Sequence, residues 1–147
     1  MTTEYTGPFV SFNFRVQIDQ LGAASFSECS GLSSDQAVIE YREGMHDSTV
    51  QKLMGLRSFT NILLKRGYTT DLRLWQWRLS VMNGAPDRRN GSIALMDTTR
   101  ATPLLIWSFE SGWPKKWDGP TFNAKSSEIA IETVEIVHEG LRLEGSA

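Results

Sequence analysis

Hydrophobic and polar residues alternate along several short segments of the chain, which predicts a protein built mainly of β-strands. In the first segment, 12–19, apolar residues alternate with polar ones, and the apolar positions are Phe12, Phe14, Val16 and Ile18. A repeat of two residues is the side-chain period of a half-buried strand. Similar patterns predict further strands at 25–30, 37–42, 59–66, 93–96 and 104–109, the last two forming a hairpin across 97–103.

Segment 43–55 interrupts this alternation. It is bounded by Gly44 and Gly55 and carries four apolar residues in an otherwise polar stretch, namely Met45, Val50, Leu53 and Met54. A loop of about this length without its own structure is usually functional or disordered. Its apolar residues argue against plain disorder, so the segment is predicted to be a loop with a function.

One stretch, 70–83, has the periodicity of an α-helix. Its predicted apolar stripe consists of Leu72, Trp75, Leu79 and Met82. Thr70 or Asp71 is expected to cap the start, and Gly84 followed by Pro86 is expected to end the helix. Trp77 lies off this stripe, so it needs a second surface or stays exposed.

The C-terminal third predicts a tryptophan-rich loop followed by a long strand. Pro114 and Pro120 are expected to rigidify the loop, which spans 107–120. In the predicted strand, 127–142, the apolar residues change face between Ile131 and Val134. A one-residue bulge near 132–133 would account for this change and would bend the strand.

Together these elements predict a mainly β fold, a small antiparallel barrel or sandwich of about six or seven strands with one flanking helix. Residues 1–8 are predicted to be a flexible arm and 9–147 a single domain, since 147 residues is the size of one domain. The expected structural core includes Phe12, Phe14, Trp75, Leu79, Trp107 and Trp113.

Composition narrows the possible functions. The formal net charge is -2, so no overall field attracts the chain to nucleic acid or an acidic membrane. No apolar run approaches the roughly 18 residues of a membrane-spanning helix. The N-terminus lacks the basic and apolar regions of a secretion signal, so synthesis in the cytoplasm is expected. The single cysteine, Cys29, excludes an internal disulfide.

No motif indicates catalysis, a cofactor or a metal. Cys29 with His46 or His138 could form a thiol nucleophile, but no orienting residue or local signature supports such a pair. The favoured interpretation is a small buried residue on a strand. The histidines and carboxylates show no metal-ligand spacing.

Three other groups of residues have both a functional and a plainer interpretation. The tryptophans of the predicted loop could stack on sugars or bases, but are expected to plug the barrel end or pack a subunit contact. The basic pairs are Arg88, Arg89, Lys115 and Lys116, interpreted as solvated turn residues or interface ion pairs. The acidic residues of the last strand, interpreted as a solvated or channel-facing surface, are Glu128, Glu132, Glu135 and Glu139.

Nine segments in this order resemble the tail-tube proteins of contractile phages and phage-tail-like contractile injection systems, a family related in fold to the type VI secretion tube protein. They cover nearly the whole chain and read FNFRVQID (12–19), FSECSGL (26–32), VIEYREG (38–44), ILLKRG (62–67), LWQW (74–77), DRRNGSI (87–93), WPKKWDGP (113–120), NAK (123–125) and IETVE (131–135).

The resemblance implies a non-catalytic subunit. Six copies would close into a ring, and rings would stack into a hollow tube that carries cargo protein or DNA. A sheath would surround it, with a baseplate, spike and terminator at its ends, in a particle possibly released by lysis. No membrane insertion by this subunit is implied.

For a subunit of such a tube, we predict the following roles for the candidate residues. Met45, Val50, Leu53 and Met54 would bridge to a neighbouring subunit. Glu128, Glu132 and Glu135 would face the lumen, where like charge repels DNA phosphates. Arg88, Arg89, Lys115 and Lys116 would contact the next ring or the sheath.

Two rival functions remain open from the sequence. One is a monomeric carbohydrate-binding module that uses exposed tryptophans. The other is a small hydrolase built on Cys29. Concentration-dependent rings or filaments without activity would distinguish the tube subunit from both.

Overall fold

The computed structural model describes residues 13–24, 26–42, 44, 48–97, 102–125 and 129–145. The predicted arm at 1–8 and the candidate core residue Phe12 lie outside these ranges. Ten strands and one helix occur in the described part. In chain order they are β1 (Asn13–Ile18), β2 (Gly22–Ala24), β3 (Glu28–Ser30), β4 (Ser34–Tyr41), β5 (Gln51–Phe59), β6 (Ile62–Gly67), α1 (Arg73–Met82), β7 (Arg89–Met96), β8 (Pro103–Asp118), β9 (Ile131–Val137) and β10 (Gly140–Gly145).

Eight of the strands form one antiparallel sheet. Its order is β2-β1-β7-β8-β9-β6-β3, and β10 also pairs with β8. The pairings run from β2 at one edge to β3 at the other without closing on themselves among the described residues. The mainly β class with one helix and the predicted β7–β8 hairpin are therefore confirmed, and the strands are more numerous than predicted.

The long strand β8 joins the two halves of the sheet. Its first part pairs with β7 and β10, and its second part pairs with β9. Ser111, at the junction, has a positive φ of 54°, a conformation that few residues other than glycine adopt. Both halves of the sheet contribute to one core of buried residues, namely Val16, Ile18, Leu21, Phe26, Ile62, Leu64, Leu74, Trp77, Ile93, Phe109, Val134 and Ile136.

The predicted tryptophan-rich loop is wrong, because most of it belongs to β8. Trp113 lies opposite Val137, and Trp117 lies opposite Val134. The pairing is irregular between Pro114 and Lys116, and such an irregularity tolerates a proline, which cannot donate to the ladder.

The predicted last strand exists, but its irregularity lies elsewhere. Strands β9 and β10 run consecutively along β8, interrupted at 138–139, where Glu139 N–H still donates to the carbonyl of Glu110 at 3.0 Å. No bulge occurs at 132–133, and burial alternates regularly through β9. The apolar phase changes because Ile129 and Ile131 are exposed, not because the strand slips.

Helix α1 is shorter than predicted and buries a different face. Trp77, which was off the predicted stripe, is 1% exposed and donates its Nε1–H to the carbonyl of Asp87 at 2.8 Å. Leu79, expected in the core, is exposed. The predicted stop is confirmed, since Gly84 follows the helix with a φ of 93°.

The N-terminus of α1 lacks the predicted side-chain cap. The N-cap residue is Leu72, which makes no side-chain cap hydrogen bond. Asp71, one position earlier, accepts the N–H of Arg73 through Oδ1 at 3.1 Å. A carboxylate near the first turn thus stabilises the free N–H groups, although not from the cap position.

Phe109 packs in a slot between two glycines. A Cβ built at Gly91 would overlap the Phe109 ring, and one built at Gly112 would lie 2.6 Å from ring atom Cε2. We expect Gly91→Ala to lower the free energy of unfolding by about 1–3 kcal/mol, because the buried ring has no free space to move into. Urea unfolding measures this.

Gly67→Ala is the matched control for that substitution, because nothing lies within 4 Å of a Cβ at Gly67. It should change stability by about 0.5 kcal/mol or less. Equal effects of the two substitutions would show that the slot around Phe109 is not the cause.

Candidate assembly interface

Strands β4 and β5 form a two-stranded ribbon separate from the main sheet. They pair antiparallel, with Val38 opposite Met54 and Ile39 opposite Leu53, and the pairing shifts between Gln36 and Val38. Cross-strand partners share a face, so Val38 and Met54 lie on one face of the ribbon and Ile39 and Leu53 on the other.

The ribbon exposes apolar side chains on both faces. Met54 is 85% exposed and Leu56 is 87% exposed; the other exposed apolar residues here are Val38, Ile39, Tyr41, Val50 and Leu53. An isolated two-stranded hairpin is marginally stable in water. Exposed apolar side chains in this number are typical of interaction sites.

The predicted loop at 43–55 is therefore partly wrong. Residues 51–55 belong to β5, and the predicted strand 59–66 is divided between the end of β5 and β6. Val50, Leu53 and Met54 are exposed as a partner contact requires, and Met45 lies outside the described residues. The ribbon was missed because neither of its faces is buried within the subunit, so no clear alternation marks it.

The base of the ribbon is attached to the main sheet near His138. The Ser33 hydroxyl donates to Thr60 Oγ1 at 2.7 Å, and His138 Nε2 lies 3.1 Å from the Thr60 carbonyl oxygen. The Phe59 and His138 rings lie 5.6 Å apart between centroids. These contacts fix the position where the ribbon leaves the subunit.

Glu132 does not line an open surface, contrary to the prediction. It is 2% exposed and accepts from Arg66 Nε and, at 3.1 Å, from Trp117 Nε1. Arg66 is also buried, and its Nη2 donates to the Asp71 carbonyl at 3.0 Å. A buried carboxylate requires such partners, so Glu132 joins β9, β6 and the approach to α1 inside the subunit.

Glu135 lies on the outer side of β9 and is half buried. It accepts from the Asn61 amide at 2.8 Å, and this hydrogen bond, with nearby Lys115, holds the Glu135 pKa below its usual range. The same side of the sheet carries the pairs Glu28–Lys65 and Asp118–Lys116. Its carboxylates are thus balanced by lysines. Glu128 lies outside the described residues.

Of the four residues in the basic pairs, one is internal and three are exposed. Arg89 is largely buried, forms an ion pair with Asp87 at 2.9 Å and lies over the Trp77 ring. It therefore acts within the subunit and not as the predicted contact residue. The exposed ones form within-subunit pairs at the surface, namely Arg88 with Glu139, Lys115 with Glu135 and Lys116 with Asp118.

No tryptophan presents an open stacking platform. All five lie among the described residues, and each is buried or half buried. Trp75 packs on Trp117 with ring centroids 4.9 Å apart, which attaches α1 to β8. Phe14 and Trp107 pack against the core, and Trp113 is half buried. The sugar-binding interpretation thus loses the exposed rings that it requires.

Asp71 links the start of α1 to two arginines. Arg73 Nε donates to its Oδ1 at 2.9 Å, and Arg73 Nη2 donates to its Oδ2 at 2.8 Å. These hydrogen bonds, and the charges of Arg73 and Arg66, hold the Asp71 pKa well below its usual range. A lowered carboxyl pKa stabilises the folded state above the unfolded-state pKa, and the stabilisation is lost as the pH falls.

We therefore expect Asp71→Asn to be less stable than the wild type near pH 7, and the difference to shrink below about pH 4, where the unfolded-state carboxyl protonates. Urea unfolding at a series of pH values tests this. Asp118→Asn, which removes an exposed carboxylate 3.6 Å from Lys116, should have little effect at any pH. A difference for Asp71→Asn that stays constant with pH would contradict the assignment.

The described residues show no catalytic or metal-binding arrangement. Burial raises the pKa of Cys29 to about 11, so the thiol is protonated and weakly nucleophilic at neutral pH. Both ring nitrogens of His138 face backbone carbonyl oxygens, those of Gly140 and Thr60, each at 3.1 Å. His46 lies outside the described residues. No group of three His, Cys, Asp or Glu side chains in the described ranges could hold a metal ion.

An antiparallel sheet around one core, with an apolar ribbon that the subunit leaves uncovered, is typical of a β-protein that binds other chains. The chain belongs to the family of the T4-like virus tail tube protein gp19, whose model matches residues 10–142. It is therefore a tail tube protein. No helix in the described ranges is long and apolar enough to cross a membrane. A search of curated protein sequences found no match.

Solved structures share this fold. A chain of the PVC sheath-tube complex, an extracellular contractile injection system in its extended state, has a TM-score of 0.86 and 23% identity, covering 95% of this chain and 93% of that one. A chain of the 6-fold symmetrised anti-feeding prophage baseplate has a TM-score of 0.83 and 23% identity, with 96% and 98% coverage. Hcp1 from Flavobacterium johnsoniae has a TM-score of 0.58 and 15% identity, with 92% and 97% coverage.

Proposed function

We propose that this tail tube protein forms the rigid inner tube of a contractile injection system or phage tail. Hexameric rings stack into a hollow tube that is driven through a target envelope when a surrounding sheath contracts. The subunit catalyses nothing and does not itself insert into a membrane. The observation that carries the proposal is the ribbon, an apolar element that a lone subunit leaves in water.

The energetics of the ribbon favour assembly. Burying one exposed apolar side chain contributes roughly 1.5–3 kcal/mol. The ribbon carries several such side chains, and each ring repeats them in every subunit. Its open strand edges also offer unpaired backbone groups, which pairing with another chain satisfies. Assembly would bury the apolar side chains and pair the backbone groups of the strand edges.

The partners proposed for the tube follow from its structural relatives. Those relatives occur in a sheath-tube complex, a baseplate and a sheath/tube terminator. We assign the same classes of partner to this chain, together with a spike at the tip. Arg88, Lys115 and Lys116 are exposed at the surface, and they remain proposed contacts to the next ring or the sheath.

The lumen carries cargo protein or DNA in this proposal. Glu135 remains a proposed lumen residue, but its lysine partner makes that surface charge-balanced instead of strongly acidic. Synthesis in a bacterial cytoplasm, followed by release of the particle on lysis, completes the proposal.

Negative-stain electron microscopy of the purified full chain, at increasing concentration, tests the function. We expect rings with 6-fold symmetry or hollow tubes of uniform width. Fragments of preformed tube should seed growth if the chain alone assembles slowly. A chain that stays monomeric in sedimentation velocity, with and without such seeds, would contradict the proposal.

A further inference from the structure

His138 is a buried titratable residue at the base of the ribbon. It is 7% exposed and lies between the end of β9 and the start of β10. Its Nδ1 lies 3.1 Å from the carbonyl oxygen of Gly140, and its Nε2 lies 3.1 Å from that of Thr60, which links β5 to β6. The ring therefore joins the main sheet to the ribbon.

The two carbonyl oxygens require two N–H donors from this ring. A carbonyl oxygen only accepts hydrogen bonds, and a neutral imidazole has one N–H and one acceptor nitrogen. In a neutral His138, one ring nitrogen would turn its lone pair toward a carbonyl oxygen, and a buried acceptor without a donor is costly. An imidazolium donates from both nitrogens, so the geometry favours the charged ring.

Within the described residues, no carboxylate is paired with this ring. The charged residues that flank its contacts in the chain are Arg57, Glu110, Glu135, Glu139 and Arg142. Arg57 is exposed on the ribbon. The carboxylates have other partners, since Glu110 pairs with Arg142, Glu135 with Lys115 and Glu139 with Arg88. The two carbonyl groups are therefore the contacts that stabilise a charge on His138.

Two phenylalanine rings pack beside the imidazole. The Phe59 ring lies 5.6 Å and the Phe109 ring 6.0 Å from it, measured between centroids. Phe109 is a buried residue of the core, so water has little access from that side. Burial alone favours the neutral form of a histidine, whereas hydrogen bonds from a charged donor favour the imidazolium. The protonation state of His138 shows which of these opposing effects is larger.

We propose that His138 is an imidazolium in the folded subunit and that its two N–H groups hold the base of the ribbon against the start of β10. A neutral ring keeps one of these hydrogen bonds. We expect it to keep the local one to Gly140, because the contact with Thr60 joins positions 78 residues apart in the chain. Loss of a proton thus releases the base of the ribbon from the ring.

Nitrogen NMR of the full chain tests the charge of the ring. The chain has two histidines, so a His46→Gln background with isotope-labelled histidine leaves the signals of His138 alone. At about pH 6.5, where an ordinary histidine is half protonated, we expect both ring nitrogens to carry a proton. A ring that is mainly neutral at this pH would overturn the proposal.

The pH dependence of stability is a second test. His138→Gln, in the same background, removes the charge. A charged folded ring contributes stability at low pH, and the contribution is lost as the pH rises. Relative to the variant, the folded-to-unfolded ratio of the parent should fall about tenfold or more between about pH 5.5 and about pH 8.5, the range in which histidine ordinarily titrates.

Urea unfolding at a series of pH values measures this ratio. A ratio that does not change with pH would indicate that His138 only packs, and a ratio that rises with pH would indicate a neutral buried ring. Either result contradicts the proposal. If His138→Gln does not fold, the NMR measurement still decides, because it leaves residue 138 unchanged.

Amide hydrogen exchange locates the effect at the ribbon. The Thr60 N–H donates to the Ser33 carbonyl at 3.3 Å, and the Tyr68 N–H, beyond the other end of β6, donates to the Ala130 carbonyl at 2.9 Å. Corrected for the intrinsic effect of pH, protection of the Thr60 N–H should fall about tenfold between about pH 5.5 and about pH 8.5, while that of Tyr68 stays unchanged. Equal changes at both, or none at Thr60, would show that the ring does not hold the ribbon.

These measurements are separate from the proposed function. They use the subunit at concentrations too low for assembly, so no outcome depends on whether tubes form. A pH effect of this kind on assembly would rest on the proposed function, because it requires the ribbon to be the assembling element.

Discussion

The double variant Leu53→Asp and Met54→Asp is expected to remain folded but to form no tubes. Neighbouring residues of a strand point to opposite faces, so this pair places a carboxylate on both faces of the ribbon. Both side chains are exposed in the subunit, which leaves its stability nearly unchanged. In an assembly, each substitution loses apolar burial and buries an unpaired charge, at a cost of several kcal/mol per contact. Electron microscopy and sedimentation measure the loss of tubes.

A matched control separates apolar contact from charge alone. The double variant Gln51→Asp and Ser58→Asp adds the same charge to the same ribbon strand but removes no apolar side chain. Both positions are exposed. We expect tubes to form, at a somewhat higher protein concentration. Tubes from the Leu53 and Met54 variant at wild-type concentration would show that the ribbon does not hold the assembly together.

Glu132→Leu is expected to lower the free energy of unfolding by about 3–5 kcal/mol. It leaves Arg66 buried without its charged partner, and uncompensated buried charge is strongly destabilising. It also removes the acceptor of the Trp117 indole N–H. Urea unfolding monitored by tryptophan fluorescence measures the change.

Two further variants show that the buried pair, and not the removal of any carboxylate, causes the loss. Glu28→Gln breaks the exposed pair with Lys65 and should cost about 1 kcal/mol or less. The double variant Arg66→Met and Glu132→Leu replaces both charges and should recover much of the stability. A Glu132→Leu protein as stable as the Glu28→Gln protein would refute a structural role for the pair.

Some elements could be predicted because their evidence is local. The alternation around Val16 and Ile18 indicates a strand whichever partner it pairs with. Gly84 takes a positive φ after α1, and this conformation follows from the residue type. The β7–β8 hairpin joins neighbouring segments, so the sequence between them was enough to predict it.

The buried face of helix α1 could not be predicted from the helix sequence alone. Its sequence carries apolar residues on more than one side, and Leu72, Leu79 and Met82 form as regular a stripe as Leu74 and Trp77. Only the position of the sheet decides that Trp77 is buried while Leu79 stays exposed. Trp77 is also held by Asp87, beyond the end of the helix, which no helical period indicates.

Glu132 failed as a candidate lumen residue for a related reason. A glutamate in a strand is ordinarily expected on the solvent side. Here it lies directly opposite Arg66 in the β6–β9 ladder, although the two are 66 residues apart in the chain. Whether Glu132 faces water or forms a buried ion pair depends on that register. The spacing of residues along the chain does not indicate the register.

Residue type and spacing were enough to predict the mainly β class, the single helix with its stop, and the tail-tube resemblance. They were not enough to predict which helix face is buried, that Glu132 is internal, or that 51–59 is a strand of an uncovered ribbon. These properties depend on which surfaces meet across the fold. Burial is a relation between distant segments, whereas a periodic pattern describes only one segment.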